Sequence, residues 1–381
     1  MNKKECNEIK KLFTPANCAI SRICGCYVDS EKNKKTELKE AFLSLPEEEA
    51  FKYFTIFRNG LSGTVGKNLL NMEFPLHTES EGGTQNFLLK LRDSELKDEA
   101  LIEEFYDKII ANFDYGENYY IILIHCAYDI PAKATDGSEM FDASDYVYEF
   151  IQCTICPVKL SKAGLCYNSM TNAIENRIRD WLVEAPEQGF LFPAFDDRAT
   201  NLYGALYYTK NTDNSYEEFV SAVFNLQPPM PAGTQRETFR EVLTDALEDE
   251  CSVNVVQNVH TALRELVLTH KETRAEEPLA VTRQEVGAVL EHCGVSEPKM
   301  AAFNVKYDEA FGGGSEVPPQ NLLGAAQLEY RTPDVVIRVN PDRQDLVQTR
   351  VLGGAKYLLI NVDEGMELNG VSVRVPEEQK D

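Results

Sequence analysis

The pattern of apolar and polar positions divides this 381-residue chain into a mixed first part and a helical second part that ends in short strands. A Lys/Glu-rich helical run opens it, and Thr14-Pro15 is a helix-start pair with proline in the first turn. Ile20 to Val28 is apolar-rich and bounded by Asp29-Ser30, which predicts a strand. Glu37 to Leu45 reads as a helix that stops before Pro46. A second helix follows through Phe51, Phe54 and Phe57, near helical spacing, and ends at Asn59-Gly60. From Gly82-Gly83 onward the pattern predicts a helix over 84–113, broken near Asp93-Ser94. Tyr119 to Tyr128 is almost wholly apolar or aromatic, as a strand buried on both faces should be. Tyr146 to Pro157 is β-branched and aromatic and closes at a proline. The acidic loop between them, Asp129 to Asp145 with Asp136-Gly137, is too short for a helical crossover, so the pair is expected to be antiparallel. Residues 168–183, with the lone Trp181, read as a helix. Phe190 to Phe195 and Leu202 to Thr209 read as strands, the second with a helical alternative.

Pro228-Pro229-Met230-Pro231-Ala232-Gly233 is the clearest boundary. Beyond it, Thr238 to Thr273 is helical in pattern, and a helical pair follows over 282–310. Gly312-Gly313-Gly314 then leads into strands. Val335 to Val339 alternates, and Leu352-Gly353-Gly354-Ala355 and Leu368-Asn369-Gly370-Val371 read as two-residue hairpins. The tail from Glu377 to Asp381 reads as frayed. The expected fold is therefore α+β: a mixed domain over 1–227 around a largely antiparallel sheet, a linker at 228–233, and a domain over 234–381. That last domain has helices at 234–310 and a small β-meander at 330–376.

Charge narrows the partners. The net charge is −24, which repels polyanions at a distance, so nucleic-acid binding needs a local patch opposing the global field. Residues 1–40 supply nine Lys/Arg against six acids, a local +3. Longest of the apolar runs, Ile121 to Ile124 is strand-sized, far short of a membrane span. Met1 precedes two lysines and no apolar stretch, and ten cysteines stand at irregular spacings. The expectation is a cytoplasmic protein with reduced thiols and no membrane partner.

Candidate chemistry is sparse. Gly60 to Lys67 resembles a phosphate loop, but Leu61 stands where the first glycine is needed and Asn68 where the hydroxyl is needed. A glycine-rich turn is the better reading. Cys24, Cys26, Cys153 and Cys156 could supply four thiolates, yet on strands Cys-x-Cys points both sulfurs to one face and Cys-x-x-Cys to opposite faces. Core thiols are therefore expected, with no metal and no cofactor. His125-Cys126 diverge for the same reason, and His77, His260, His270 and His292 form no zinc-hydrolase spacing. No Gly-x-Ser-x-Gly elbow occurs. Among the carboxylates, Asp196-Asp197-Arg198 after a strand is the best catalytic candidate, against a charged turn with a local salt bridge.

The most specific motif is the helical pair. Thr282 and Glu285 form a capping box, Val286, Val289, Leu290 and Cys293 make one apolar stripe, and Gly294 supplies a left-handed turn. Ser296 then caps a helix with Pro298 in its first turn and Met300, Phe303 and Tyr307 on the buried side. In a DNA-reading arrangement that helix would present Lys299, Asn304 and Lys306. Glu297, Asp308 and Glu309 share it, as a packed helical corner would allow.

Phe13-Thr14-Pro15 through Arg22-Ile23-Cys24-Gly25-Cys26-Tyr27-Val28-Asp29, with Ile155-Cys156-Pro157-Val158-Lys159-Leu160-Ser161-Lys162, resembles over nearly the full length a family from Gram-positive gut anaerobes catalogued as a domain of unknown function. It implies no activity. The order of elements, from the strand pair through Phe190 to Phe195 to the capped helices and glycine-linked strands, resembles acidic bacterial nucleoid-associated proteins. No shared motif carries a binding residue over. The functional expectation is a non-enzymatic binding protein, nucleoid-associated, engaging DNA or a DNA-bound partner. The alternatives are an enzyme with a carboxylate-lined pocket between domains, using Asp196 and Asp197, and a scaffold offering a C-terminal strand edge to a protein.

Overall fold

A computed structural model describes residues 1–75, 82–133, 139–214, 216–273, 278–323, 328–363, 365–368 and 370–373. His77, Asp136-Gly137, Asn369 and the Glu377–Asp381 tail lie outside the described residues. The chain is α+β and falls into two compact units: Met1–Thr234 with a return over 275–278, and Gln235–Arg274 with Leu279–Asp381.

The first unit is built on one antiparallel sheet. Its elements in chain order are α1 (Lys3–Lys11), β1 (Ile20–Val28), β2 (Lys34–Ala41), α2 (Glu47–Asn59), β3 (Leu69–Glu73), α3 (Thr84–Asp93), α4 (Glu99–Asn112), β4 (Tyr119–Lys133) and β5 (Glu139–Leu160). There follow β6 (Leu165–Asn168), β7 (Ala173–Asn176), β8 (Trp181–Val183), β9 (Gln188–Phe192), β10 (Ala194–Asp196), β11 (Ala199–Asn201), β12 (Gly204–Thr209) and α5 (Glu217–Phe224). The strand order is β2-β1-β4-β5-β9-β12-β3, with β8 added to the far end of β5. As expected, β4 and β5 are antiparallel neighbours, but both strands run further than their apolar cores, to Lys133 and from Glu139. Period-two alternation gives the central strands two buried faces. Cys24, Cys26, Ile121, Leu123, Cys153 and Phe190 pack on one side against α3, α4 and α5. Ile23, Ile122, Ile124, Cys156, Leu191 and Leu206 pack on the other against α1 and α2. Each large side chain so buried contributes roughly 1.5–3 kcal/mol.

Three readings need correction. Residues 37–45 are not a helix: Lys34–Ala41 is β2, followed by a short 3-10 turn at Phe42–Ser44. β2 is an edge strand, and its Lys/Glu content, which imitates a helix face, is what protects an edge from pairing. Residues 168–183 are not a helix either; β6 and β7 form a hairpin and Trp181 lies in β8. Thr14-Pro15 starts only a 3-10 turn, Pro15–Asn17.

The second unit contains α6 (Ala232–Leu247), α7 (Val253–Thr273), α8 (Arg283–His292), α9 (Glu297–Phe311) and α10 (Pro319–Leu322). Helix α6 thus begins within the proline-rich stretch, at Ala232. Phe239, Leu243, Leu263, Val286, Leu290 and Phe303 form its core. Strands β13 (Leu328–Arg331) and β14 (Val336–Val339), β15 (Val347–Leu352) and β16 (Ala355–Ile360), and β17 (Met366–Leu368) and β18 (Val371–Val373) pair as three separate two-stranded hairpins. Leu352 faces Ala355 across the predicted Gly353-Gly354 turn, and Leu368 is paired with Val371.

Candidate functional site

A large concavity lies in the first unit between α2 and β8. Helix α2 follows Pro46, and Glu47, Glu48 and Glu49 occupy its first turn, where the helix dipole favours acids. Its C-terminal end is fastened to the sheet. Gln152 Nε2 donates to the Phe57 carbonyl at 3.0 Å, and a Cβ on Gly60 would stand 2.8 Å from Thr154 Cγ2, so only glycine allows this approach. Phe54 and Phe57 are buried, but Phe51 is 46% exposed. The spacing explains this: three-residue steps fall short of a full turn, so over two steps Phe51 has rotated away from the face that Phe57 buries.

Facing Phe51, Tyr53 and Ile56 across the groove are Tyr120 of β4 and Trp181 and Val183 of β8, around a volume of about 1050 Å³. A second hollow of about 400 Å³ shares Tyr53, Tyr120, Trp181 and Val183 and reaches Tyr27 and Leu38. The tyrosines are positioned from below. Gly25 leaves a notch under the Tyr120 ring, where a Cβ would meet the hydroxyl at 2.1 Å. The Tyr120 and Tyr53 hydroxyls are 3.2 Å apart, and Tyr53 stacks on Phe57 at 6.1 Å between centroids. Burial raises both phenols' pKa above the ordinary value, so they stay protonated. Glu48, Glu49 and Glu184 stand exposed among the lining residues with Lys52. Among the described residues none of these three acids is in an ion pair. Among the described residues β8 pairs with β5 alone. The site is thus an aromatic trough with acidic side chains and one free strand edge.

From the base of this trough a two-stranded arm continues. Ser161 N–H donates to the Asp180 carbonyl and Arg177 N–H to the Gly164 carbonyl, both at 2.8 Å, and β6–β7 follow. Leu165 is 76%, Met170 94% and Ile178 84% exposed.

The residues singled out from the sequence lie elsewhere. The capping box is present: Glu285 Oε2 accepts from Thr282 N at 2.7 Å, and Gly294 has φ +81°. Ser296 is the N-cap residue of α9, but its hydroxyl donates to Glu250 Oε1 at 2.7 Å instead of capping its own helix. Lys299 Nζ is 2.6 Å from Glu248 and 3.4 Å from Asp249. Lys306 Nζ is 3.6 Å from Asp245, and Asn304 is half-buried on the same helix. In the N-terminal stretch, Lys34 pairs with Glu103 and Asp107, Lys35 with Asp29 and Lys39 with Glu37.

Asp197 and Arg198 form the turn of the β10–β11 hairpin, with φ +50° and +58°. Asp196 binds the Met1 amino group at 2.5 Å and accepts from Asn201 at 2.7 Å, while Arg198 pairs with Glu8 at 2.9 Å. These carboxylates are a charged turn that fastens α1. Gly60 to Lys67 turns from α2 into β3, with Gly63 and Gly66 at positive φ. Cys24, Cys26 and Cys153 face one layer and Cys156 the other. Among the described residues no group of three or more His, Cys, Asp or Glu could hold a metal. His125 Nδ1 lies 2.6 Å from Ser21 Oγ, on the face opposite Cys126.

Sequence reasoning misses the groove because it places Trp181 in a helix, whereas the residue lies in β8. No helix among the described residues is long and apolar enough to cross a membrane. Comparison with curated proteins and with solved structures gives no match. The profile of one family matches residues 1–371, so nearly the whole sequence is accounted for, and the chain belongs to the family described as a domain of unknown function, DUF4317.

Proposed function

We propose that this is a cytoplasmic, non-enzymatic binding protein that takes an extended apolar segment of a partner polypeptide into the groove between α2 and β8. One observation carries the reading: a free strand edge lies beside an aromatic wall. A segment laid along β8 gains main-chain hydrogen bonds, and its alternate side chains enter the trough toward Phe51, Tyr53 and Ile56. Glu48, Glu49 and Glu184 favour basic residues in that segment. Sites for small polar substrates converge a few polar groups on one point, whereas the acids here are spread along the trough.

The lone tryptophan gives the test. Peptides selected by display against the protein, with an Ile56→Asp variant for counter-selection, should alternate apolar residues and shift Trp181 emission. Failure to select any peptide that distinguishes the two proteins overturns the reading.

DNA or a DNA-bound partner is a second proposal. It is supported by the capped α8–α9 pair, which carries Lys299, Asn304 and Lys306 on one helix, and by the likeness in element order to nucleoid-associated proteins. Phosphate contact there has to displace the acids that hold Lys299 and Lys306. Retention on DNA at low salt that falls steeply as salt rises is the expected signature, and no binding at low salt removes it.

A further inference from the structure

We infer that the occupant of the groove is the arm of a second copy of this chain, each copy's residues 161–180 lying in the trough of the other. The inference rests on the groove reading and names its partner.

The arm is poorly explained as a free element. From Ser161 to Asn168 it runs roughly 23 Å at about 3.3 Å per residue, and beyond β8 it is only two strands wide. A two-stranded ribbon is marginal in water unless something packs on it. This one turns apolar residues outward: Tyr167 and Ile174 are paired across the ribbon and share a face with Leu165, and all three are exposed, as are Met170 and Ile178. The exposure of Leu165, Met170 and Ile178 also means that the arm does not fill its own chain's trough.

Charge selects the partner. Residues 161–180 carry three basic side chains (Lys162, Arg177, Arg179) against two acidic ones (Glu175, Asp180), a local +1 in a chain of −24. The larger hollow holds Glu48, Glu49 and Glu184 against Lys52, a local −2. Among the described residues neither Lys162 nor Arg177 is in an ion pair. The arm therefore matches the trough of its own sequence in the sign of its charge and in its exposed apolar residues. Trp181 and Val183 belong to the arm's base and to the trough wall at once. A two-fold axis beside β8 thus makes one self-complementary patch in which arm meets trough twice.

The test uses the full-length protein in sedimentation velocity over a range of concentrations. Wild type is expected to be a dimer whose Trp181 emission shifts on dilution. Reversing the arm (Lys162→Glu with Arg177→Glu) or the trough (Glu48→Lys with Glu49→Lys) should each weaken dimerisation about a hundredfold through like-charge repulsion. All four side chains are exposed or solvent-facing, and unchanged far-UV circular dichroism shows that folding is kept. Mixing the two variants should restore a heterodimer, because the acidic arm then meets the basic trough and the basic arm the acidic trough. A monomeric wild type, or a dimer indifferent to both reversals, overturns the inference. If wild type is monomeric while display-selected peptides still shift Trp181, the groove reading survives and only the second copy falls.

Discussion

Two glycines of the sheet meet a comparable steric obstacle and should respond to alanine very differently. At Gly25 a Cβ would overlap the Tyr120 hydroxyl at 2.1 Å and the ring carbon beside it at 2.6 Å. At Gly189 it would overlap the Cys153 carbonyl oxygen at 2.3 Å and the Thr154 Cα at 3.1 Å. The first obstacle is the far end of a side chain with open groove beside it. Tyr120 can swing away, losing its hydrogen bond to Tyr53 at about 1 kcal/mol. Removing glycine's freedom in the unfolded chain returns roughly 0.4–1 kcal/mol, so the net cost of Gly25→Ala is within about 1 kcal/mol. The second obstacle is backbone between central strands: β9 must retreat by about 1 Å from β5, and the cost reaches at least the ~3 kcal/mol upper end of ordinary overpacking. Urea unfolding followed by emission of Trp181 reports on the first unit alone, since it is the only tryptophan. With a slope of about 2 kcal/mol per molar, Gly189→Ala should lower the midpoint by about 1 M more than Gly25→Ala does. Gly25→Ala should instead change the native emission and weaken peptide binding, because Tyr120 now enters the trough. If Gly25→Ala costs as much as Gly189→Ala, or leaves the groove unaltered, the notch has been misread.

Other consequences are open to direct measurement. Cys6, Cys24, Cys26, Cys126, Cys153 and Cys156 are buried, and burial pushes Cys26 up to about 12, so native protein should titrate with at most four thiols and denatured protein with ten. Rapid labelling of Cys26 without denaturant would contradict the packing. His125 is held below its ordinary pKa first by burial, and its Nε2 has no hydrogen-bond partner among the described residues. Because the unfolded chain binds that proton more readily, this contribution is complete above the unfolded value of about 6.5 and is lost as pH falls below it. His125→Gln should therefore flatten the decline of melting temperature between pH 7 and 5, and an unaltered slope argues against a neutral buried imidazole. Lys299→Ala together with Lys306→Ala should leave the melting temperature nearly unchanged, as expected of solvent-screened pairs, and should abolish any salt-sensitive DNA retention if α9 is the contacting helix.

How far the sequence can be read depends on whether an element's period is set by burial. Ile20–Val28 and the 119–128 and 146–157 runs are legible because both faces are buried, and a continuous apolar run of that length fits little besides a central strand. The break at Asp93-Ser94 between α3 and α4 is legible as well, and so is the Thr282–Glu285 box, since caps are local chemistry. β2 is not: an edge strand answers to protection against pairing, and alternate Lys and Glu satisfy that rule and a helix rule equally. The arm fails for the opposite reason, because its apolar residues face solvent, where no core imposes a period. The trough needs both failures put right, and its floor depends on Gly25 lying under Tyr120, a diagonal contact across β1 and β4 that neither local stretch reveals.

The mode of attachment of α2 explains why the exposed site sits where it does. At its C-terminal end the helix is committed to the sheet through Gln152, Thr154 and the close approach of Gly60, while Phe54 and Phe57 join Phe13 and Phe42 in the core. At the other end Leu45 and Ala50 pack against the core from one side, while Glu48, Glu49 and Phe51 face outward. One end is therefore fixed by buried hydrogen bonds and aromatic packing, and the other presents its acids to solvent beside the trough. The trough's acids stand exposed on the first turn of α2 and at the end of β8, so reversing their charge changes the field of the trough without touching the packed end of the helix.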